Sequence, residues 1–294
     1  MFRNLRVKRQ PEKIVPDAKS ISAEQLERDA SIPITLRQIN DLPENARKRI
    51  YRAVLPPSLL ARFNIDPITW TGSGGTELVS LETSDAGKTN ISIGSTDDSR
   101  GEYVIIGLAD NSFNGMDLEM LVLNDPNCPR FQIDFDEDGQ PTMFGTLRRN
   151  LDEEARALRA GLAPGQVRKG LGGSQLVLNH LDNFLATLGH RAYFLEPLTY
   201  VSAWIFERRG FAYVRGHKLM DDINTEFQPG GRLFKALDGS TLFRQPDQWR
   251  TVRGRAWAIH DGILEAIDAR WDSLRMVKQV GRHAGLETFP GAEY

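Results

Sequence analysis

The chain has few of the features that mark secreted, membrane or metal-dependent proteins. Its 294 residues include one cysteine, Cys128, so no intramolecular disulfide can form, and this usage favours a reducing cytoplasm. The five histidines stand at no zinc-ligand spacing with cysteine, which predicts no metal site. No run approaches the ~18 apolar residues of a membrane span, and the basic amino terminus lacks a signal peptide's apolar region. We therefore expect a cytoplasmic protein without a membrane partner.

The sequence also lacks an excess of charge of either sign. Lysine and arginine total 37 against 39 aspartates and glutamates, which leaves a net charge of −2. A protein that binds nucleic acid over a broad surface usually carries a basic excess, and the five tryptophans form no stacking stripe. We expect no nucleic-acid partner. Hydrophobic residues make up 40% of the chain, enough for a sizeable core.

Local patterns divide the chain into four segments. Residues 1–20 are polar and carry two prolines, which predicts a flexible arm, and the capping-box pair Ser22 and Gln25 opens a helical extension over 21–65. From residue 66 onward, the sequence consists of short β-prone runs separated by turn residues. These predicted strands lie at 77–81, 89–93, 103–108, 118–123 and 130–135.

The second half of the chain alternates predicted helices and strands. The pattern indicates helices at 151–161, after Gly173 and at 199–209, and strands at 191–195 and 211–215. Apolar residues at helical spacing over about 246–280 predict a long helix within a carboxyl-terminal segment, 219–294. The fold class expected is α+β, with a mixed, mostly antiparallel sheet flanked by helices and with helical extensions at both ends.

A basic, glycine-rich loop runs directly into the helix that follows Gly173. Glycines let the backbone approach an anion, and the amino end of a helix offers unpaired N–H groups and a positive dipole end, so such a loop can bind a pyrophosphate. A tight turn required only by packing is the alternative interpretation. The candidate anion-binding residues are Gln166, Val167, Arg168, Lys169, Gly170, Leu171, Gly172, Gly173 and Ser174.

A second motif follows in the order strand, short helix, Gly-Phe, and it carries Phe206, Glu207, Gly210 and Phe211. Together the two motifs resemble the GNAT superfamily of acyl-CoA-dependent N-acyltransferases. The resemblance implies a GNAT-like domain at 66–218 that binds acetyl-CoA or another acyl-CoA, with Phe206 among the cofactor-binding residues. It places the pyrophosphate on about 168–174. The pantetheine arm would lie in a splay between a strand near 129–135 and one near 191–196.

The resemblance weakens at the residues of catalysis. The family commonly has a tyrosine, which serves as general acid, where this chain has Phe206, and phenylalanine cannot donate a proton. Thr199 replaces the family's asparagine. Substitutes are Tyr200 as an acid and Glu196 or Asp134 as a base. The structural alternatives are a packed tyrosine, an ion-paired glutamate and an aspartate in a solvated turn.

Three functional hypotheses remain open. The first is an acyl-CoA-dependent N-acyltransferase that acts on a primary amine of a small molecule or protein by direct transfer. The second is a non-catalytic relative that serves as a scaffold or regulatory subunit, with or without bound CoA. A homodimer or a larger assembly fits either one. A third hypothesis is a peptide binder that uses an exposed strand edge.

Overall fold

The computed structural model describes residues 35–94, 101–112, 115–143, 145 and 147–294. The predicted arm over 1–20 and the capping box at Ser22 and Gln25 lie outside these ranges. Seven strands form one sheet in the order β1-β2-β3-β4-β5-β7-β6, and only the β4–β5 pair is parallel. The strands are β1 (Val79–Ser84), β2 (Lys88–Gly94), β3 (Glu102–Asp110), β4 (Met116–Leu123), β5 (Ala192–Leu195), β6 (Ala212–Arg215) and β7 (Arg275–Gln279).

Helices pack around this sheet, so the predicted α+β class with a mostly antiparallel sheet is confirmed. The α-helices are α1 (Leu36–Asn40), α2 (Glu44–Tyr51), α3 (Pro57–Ala61), α4 (Leu151–Arg159), α5 (Ser174–Thr187), α6 (Tyr200–Arg208), α7 (His217–Glu226), α8 (Arg232–Lys235) and α9 (Val252–His260). Short 3-10 turns cover Arg52–Val54, Gln248–Arg250 and Ile263–Ile267. None of the helices in the described ranges is long and apolar enough to cross a membrane.

The antiparallel half of the sheet follows from period-two apolar patterning. Ile91, Ile93, Val104 and Ile106 are fully buried, and the register of β2 on β3 pairs Ile91 with Ile106 and Ile93 with Val104. Alternate side chains of a strand share a face, so these four form one apolar surface. It belongs to a main core that runs from Leu36 to Phe289 and so includes both predicted extensions.

The prediction of a sheet strand at 130–135 is wrong. This stretch pairs with no sheet strand and folds into a hairpin in which the Thr142 N–H donates to the Asp134 carbonyl at 2.9 Å. Its apolar side chains, Phe131 and Ile133, pack instead into a second, smaller core with Trp257. Their alternation therefore reflects burial beside a helix rather than pairing in the sheet.

The prediction of one long helix over 246–280 is also wrong, because this stretch contains the short helix α9, two 3-10 turns and strand β7. Gly262 has φ 85° and Asp268 has φ 56°, and these left-handed residues interrupt the helical path on both sides of a 3-10 turn. The chain then enters β7, which lies between β5 and β6 and completes the sheet. The final segment is thus part of the sheet rather than a helical addition to a domain that ends at 218.

Candidate functional site

Strands β4 and β5 pair over only two residues of each strand. The parallel register joins Met116 to Tyr193 and Asp117 to Phe194, and it stops there, although β4 continues to Leu123. A register shift opposite Gly107 and Leu108 leaves Glu119 as a bulged residue just beyond the last pair. Beyond Asp117, the side of β4 that faces β5 pairs with no strand of the described ranges, and this unpaired stretch, residues 118–123, is here termed the strand splay.

The glycine-rich loop lies at the open end of the strand splay. The Leu171 N–H donates to the Leu123 carbonyl at 2.9 Å, and the Asp125 N–H donates to the Lys169 carbonyl at 2.8 Å. These bonds attach the loop to the carboxyl end of β4 as a short antiparallel extension. Helix α5 begins three residues later, at Ser174. The loop, the helix amino terminus and the strand splay therefore lie together at the carboxyl end of β4.

The amino terminus of α5 has no side-chain cap. Gly173 precedes the helix without a capping bond, and no acidic residue stands in the first turn. A Cβ added at Gly172 or Gly173 would meet nothing within 4 Å, and Gly172 has φ 72°, a left-handed value that favours glycine. The neighbouring helix α6 differs, because Thr199 and Ser202 form a capping box there. Of these two helix ends, α5 is the one open to an external anion.

Two arginines contact this helix end and its loop, and a lysine stands five residues before Ser174 in the chain. The Arg209 Nε donates to Ser174 Oγ at 3.1 Å, the Arg62 Nη1 donates to the Leu171 carbonyl at 2.9 Å, and Lys169 is exposed. None of the three forms an ion pair with a carboxylate in the described part of the chain. Guanidinium groups are well suited to phosphate oxygens. Arg62 and Arg209 are site residues that sequence reasoning missed; the basic pair before Gly-Phe was the available signal for Arg209, and Arg62 had none.

Residues at the start of the predicted anion loop serve the protein's own structure. Arg168 is buried, with its guanidinium on the Cys128 carbonyl at 2.6 Å and 5.7 Å from the Tyr103 ring centroid. The Gln166 Oε1 accepts from the Ala163 N–H at 2.8 Å, and the Val167 carbonyl accepts from Phe131 at 2.8 Å. The open cradle thus comprises Lys169, Gly170, Leu171, Gly172, Gly173 and Ser174.

A charged cluster lies where the strand splay begins. Glu196 follows β5, is largely exposed, and accepts from the Arg275 Nη1 at 3.0 Å. Arg275 also contacts both carboxylate oxygens of Asp117 at 3.0 Å and stacks 5.2 Å from the Phe194 ring centroid. Two carboxylates and one guanidinium leave an excess negative charge at the point where β4 and β5 part. Glu196 and Asp117 therefore lie together on Arg275, where the pairing of β4 with β5 stops.

The other predicted catalytic residues lie elsewhere. Tyr200 is 2% exposed and packs edge-on against Trp271, and burial raises its pKa, partly opposed by the neighbouring Arg255. Asp134 pairs with Arg130 at 2.5 Å in the hairpin, on neither β4 nor β5. Of the three predicted catalytic residues, Glu196, Tyr200 and Asp134, the structure brings only Glu196 to the strand splay. Phe206, which was predicted to contact the cofactor, has its ring centroid 5.2 Å from that of Phe211.

The glutamate of the second motif has a structural position. Glu207 is fully buried in α6 and accepts from the Tyr213 hydroxyl at 2.9 Å. Its carboxylate also accepts from the Thr288 N–H at 2.5 Å and from the Thr288 hydroxyl at 2.8 Å. A buried carboxylate with three donors is well compensated. Glu207 therefore connects α6 to β6 and to the carboxyl-terminal residues.

No family model matches the sequence, and no curated protein and no solved structure matches the chain. In the described residues, no group of three His, Cys, Asp or Glu side chains could hold a metal ion.

Proposed function

We propose that the protein binds acyl-CoA in a GNAT-like manner and transfers the acyl group to a primary amine. One observation carries the proposal: an uncapped, glycine-rich helix amino terminus lies next to β4, beyond the point where the parallel pairing of β4 with β5 stops. The GNAT resemblance requires this combination. The splay lies between β4 and β5, rather than beside residues 129–135.

The cradle fits the phosphates of CoA. Backbone N–H groups of Gly172, Gly173 and the first turn of α5 can donate to a pyrophosphate, and open space at both glycine Cβ positions lets it approach. Arg62, Arg209 and Lys169 supply positive charge around the same point. The absence of an acidic residue from the first turn of α5 removes a source of repulsion.

The strand splay fits the pantetheine arm. Amide groups of an extended chain can pair with main chain of β4 beyond Asp117, in the manner of an added strand. An arm that runs from the cradle at Leu123 toward Asp117 would reach the bulge at Glu119. The thioester supplied by acyl-CoA would then lie beside the Asp117, Glu196 and Arg275 cluster.

The cluster supplies groups for amine acylation. Its excess negative charge attracts an ammonium group, and the exposed Glu196 carboxylate is placed to accept the amine proton, directly or through one water. The substrate ammonium would lose one proton to bulk water. As the neutral amine nitrogen bonds to the acyl carbon and the C–S bond breaks, Glu196 would accept the second nitrogen proton and return it to solvent, and solvent would supply the proton with which CoA leaves as a thiol. Phe206 cannot donate that proton, and Tyr200 is buried against Arg255.

A non-catalytic CoA-binding scaffold is the second candidate. The observation in its favour is the absence of a hydroxyl at Phe206 together with the burial of Tyr200. This candidate shares the cofactor cradle and differs only in turnover. Release of free CoA thiol from acetyl-CoA, measured with a panel of small-molecule and peptide amines, separates the two candidates.

Calorimetric titration with acetyl-CoA and CoA tests the cradle. We expect micromolar affinity, about −8 kcal/mol, for the native protein. Gly172→Glu should abolish binding because its carboxylate would oppose the pyrophosphate at the amino end of α5. Gly189→Glu is a matched control, since Gly189 lies at the other end of α5 with φ 83° and equally open Cβ space. An absence of native binding, or equal binding by both variants, would refute the proposal.

A further inference from the structure

A pocket opens between the end of α9 and the segment that leads into β7. The 3-10 turn Ile263–Ile267 contributes to one side of it, and the left-handed residues Gly262 and Asp268 stand at the two ends of that turn. The cavity volume is about 570 Å³, which lies within the range of small-molecule sites. The buried side chains of Ile259 and Leu264 give the pocket an apolar side.

The charged lining of the pocket is negative overall. Glu265 and Asp268 contribute two carboxylates against the single guanidinium of Arg270. Glu265 is exposed and forms no ion pair with any residue that the structure describes. The Arg232 Nη1 is 3.6 Å from Asp268, a loose and solvent-exposed contact of the kind that contributes little. Both carboxylates are therefore available to an external cation.

Trp271 connects this pocket to the charged cluster at the strand splay. Its ring lines the pocket, and its Nε1 donates to the Pro197 carbonyl at 3.3 Å. Tyr200 makes a T-shaped contact with it, with 6.1 Å between the ring centroids. Pro197 directly follows Glu196 in the chain. The indole is thus held in place next to the carboxylate that accepts the amine proton in the proposed reaction.

The combination of an indole, carboxylates and an aliphatic side suits an alkyl ammonium group. The face of a tryptophan ring attracts an organic cation, and a carboxylate adds a charge-assisted hydrogen bond. The methylene groups of such a ligand can cover apolar side chains while its charged end stays at the acidic rim. A monoamine bound at Glu196 would leave these groups unused, whereas an amine with a second cationic end would engage them.

We propose that this pocket binds the distal ammonium group of the acyl acceptor, which is a primary amine with a second amine several methylene groups away. The reacting amine lies at Glu196, and the distal ammonium contacts Trp271 and the carboxylates of Glu265 and Asp268. The role as acceptor site rests on the proposed acyl transfer. The affinity of the pocket for an alkyl ammonium does not.

Calorimetric titration of the full chain with 1,6-diaminohexane and with hexylamine tests the pocket. The two probes share one carbon chain and differ by one ammonium group. We expect the diamine to bind at least about tenfold more tightly. Glu265→Gln combined with Asp268→Asn should bring the two affinities within about twofold. The matched control, Glu82→Gln combined with Asp85→Asn, removes the same charge from exposed residues at the β1–β2 turn and should keep the preference.

Three results of this titration overturn the inference. They are an absence of diamine binding, equal affinity of the native protein for the two probes, and a preference that survives the changes at Glu265 and Asp268. Equal loss of the preference in the control pair overturns it as well, because the effect is then one of overall charge.

Release of CoA thiol from acetyl-CoA separates this inference from the proposed transfer. The native protein should use the diamine with a kcat/KM about tenfold higher than hexylamine, and the changes at Glu265 and Asp268 should remove that difference without slowing hexylamine. Thiol release at equal kcat/KM for both amines overturns the acceptor site and leaves the proposed transfer standing. Preferential diamine binding without any thiol release overturns the transfer, and the acceptor role with it.

Discussion

Arg209 is the side chain whose loss we expect to weaken acyl-CoA binding most. Its Nε contacts Ser174 at the first residue of α5, and it forms no ion pair with a carboxylate in the described residues. A guanidinium bond to a phosphate oxygen contributes about 1.5–3 kcal/mol. Arg209→Ala should therefore raise the Kd for acetyl-CoA about 10- to 150-fold.

Arg208 offers a matched control. It precedes Arg209, carries the same charge and is exposed, but its guanidinium lies 5.0 Å from the Trp204 ring centroid. Arg208→Ala removes the same net charge without touching the α5 terminus, so its Kd should change less than about threefold. Titration calorimetry at low and moderate salt measures both variants, and thermal unfolding without ligand checks that each is folded.

The comparison can refute the reasoning directly. If Arg209→Ala and Arg208→Ala weaken binding equally, the effect is one of general charge and the assignment of Arg209 to the phosphate cradle is wrong. If Arg209→Ala binds as the native protein does, no phosphate contacts it. The lost bond to Ser174 costs about 1 kcal/mol of stability, too little to unfold the variant and mimic a binding defect.

Three further outcomes are expected. If position 206 faces the thioester as the GNAT resemblance implies, Phe206→Tyr should raise acetyl-transfer kcat by up to about 100-fold with KM for acetyl-CoA unchanged, because its hydroxyl would protonate the leaving thiolate; equal rates would contradict this. Burial alone would raise the pKa of Glu154, but hydrogen bonds from His260 and an arginine outweigh it and hold that pKa below its ordinary value. Glu154→Gln should therefore be less stable than the native protein at pH 7, and denaturant unfolding should show the difference shrinking as the pH falls from the ordinary glutamate pKa through the lower pKa of the folded state; a pH-independent difference would count against it. Lys278→Met should lower the free energy of unfolding by about 3–5 kcal/mol because it leaves Asp182 buried without its cation, and Asp182→Asn in the same chain should recover much of that loss.

Several features of the fold could be predicted from the sequence. Period-two apolar runs predicted β2, β3 and β4 within two residues at each end, because alternation of burial is a local property of an extended chain. The glycines before Ser174 likewise predicted an open helix start, since backbone freedom and the lack of a cap belong to adjacent residues.

Other local patterns were misleading because burial does not specify a partner. Phe131 and Ile133 alternate as in a strand, but they enter a second core beside Trp257. Residues 275–279 lie in a stretch whose apolar residues have helical spacing, but they form β7, which pairs with β5 on one side and β6 on the other. Available hydrogen-bond partners decided both outcomes, and those partners lie far away in the chain.

By itself, the sequence determined the class of the fold, most of its strands and helices, and the glycine-rich start of α5, because each depends on neighbouring residues. Only the tertiary structure decided the composition of the candidate site. It places Arg62 and Arg209 beside the loop and Asp117 and Arg275 beside Glu196, across separations of 35 to 158 residues between contacting partners. Long-range packing brings these charges together, and no local pattern encodes which distant strands and helices become neighbours.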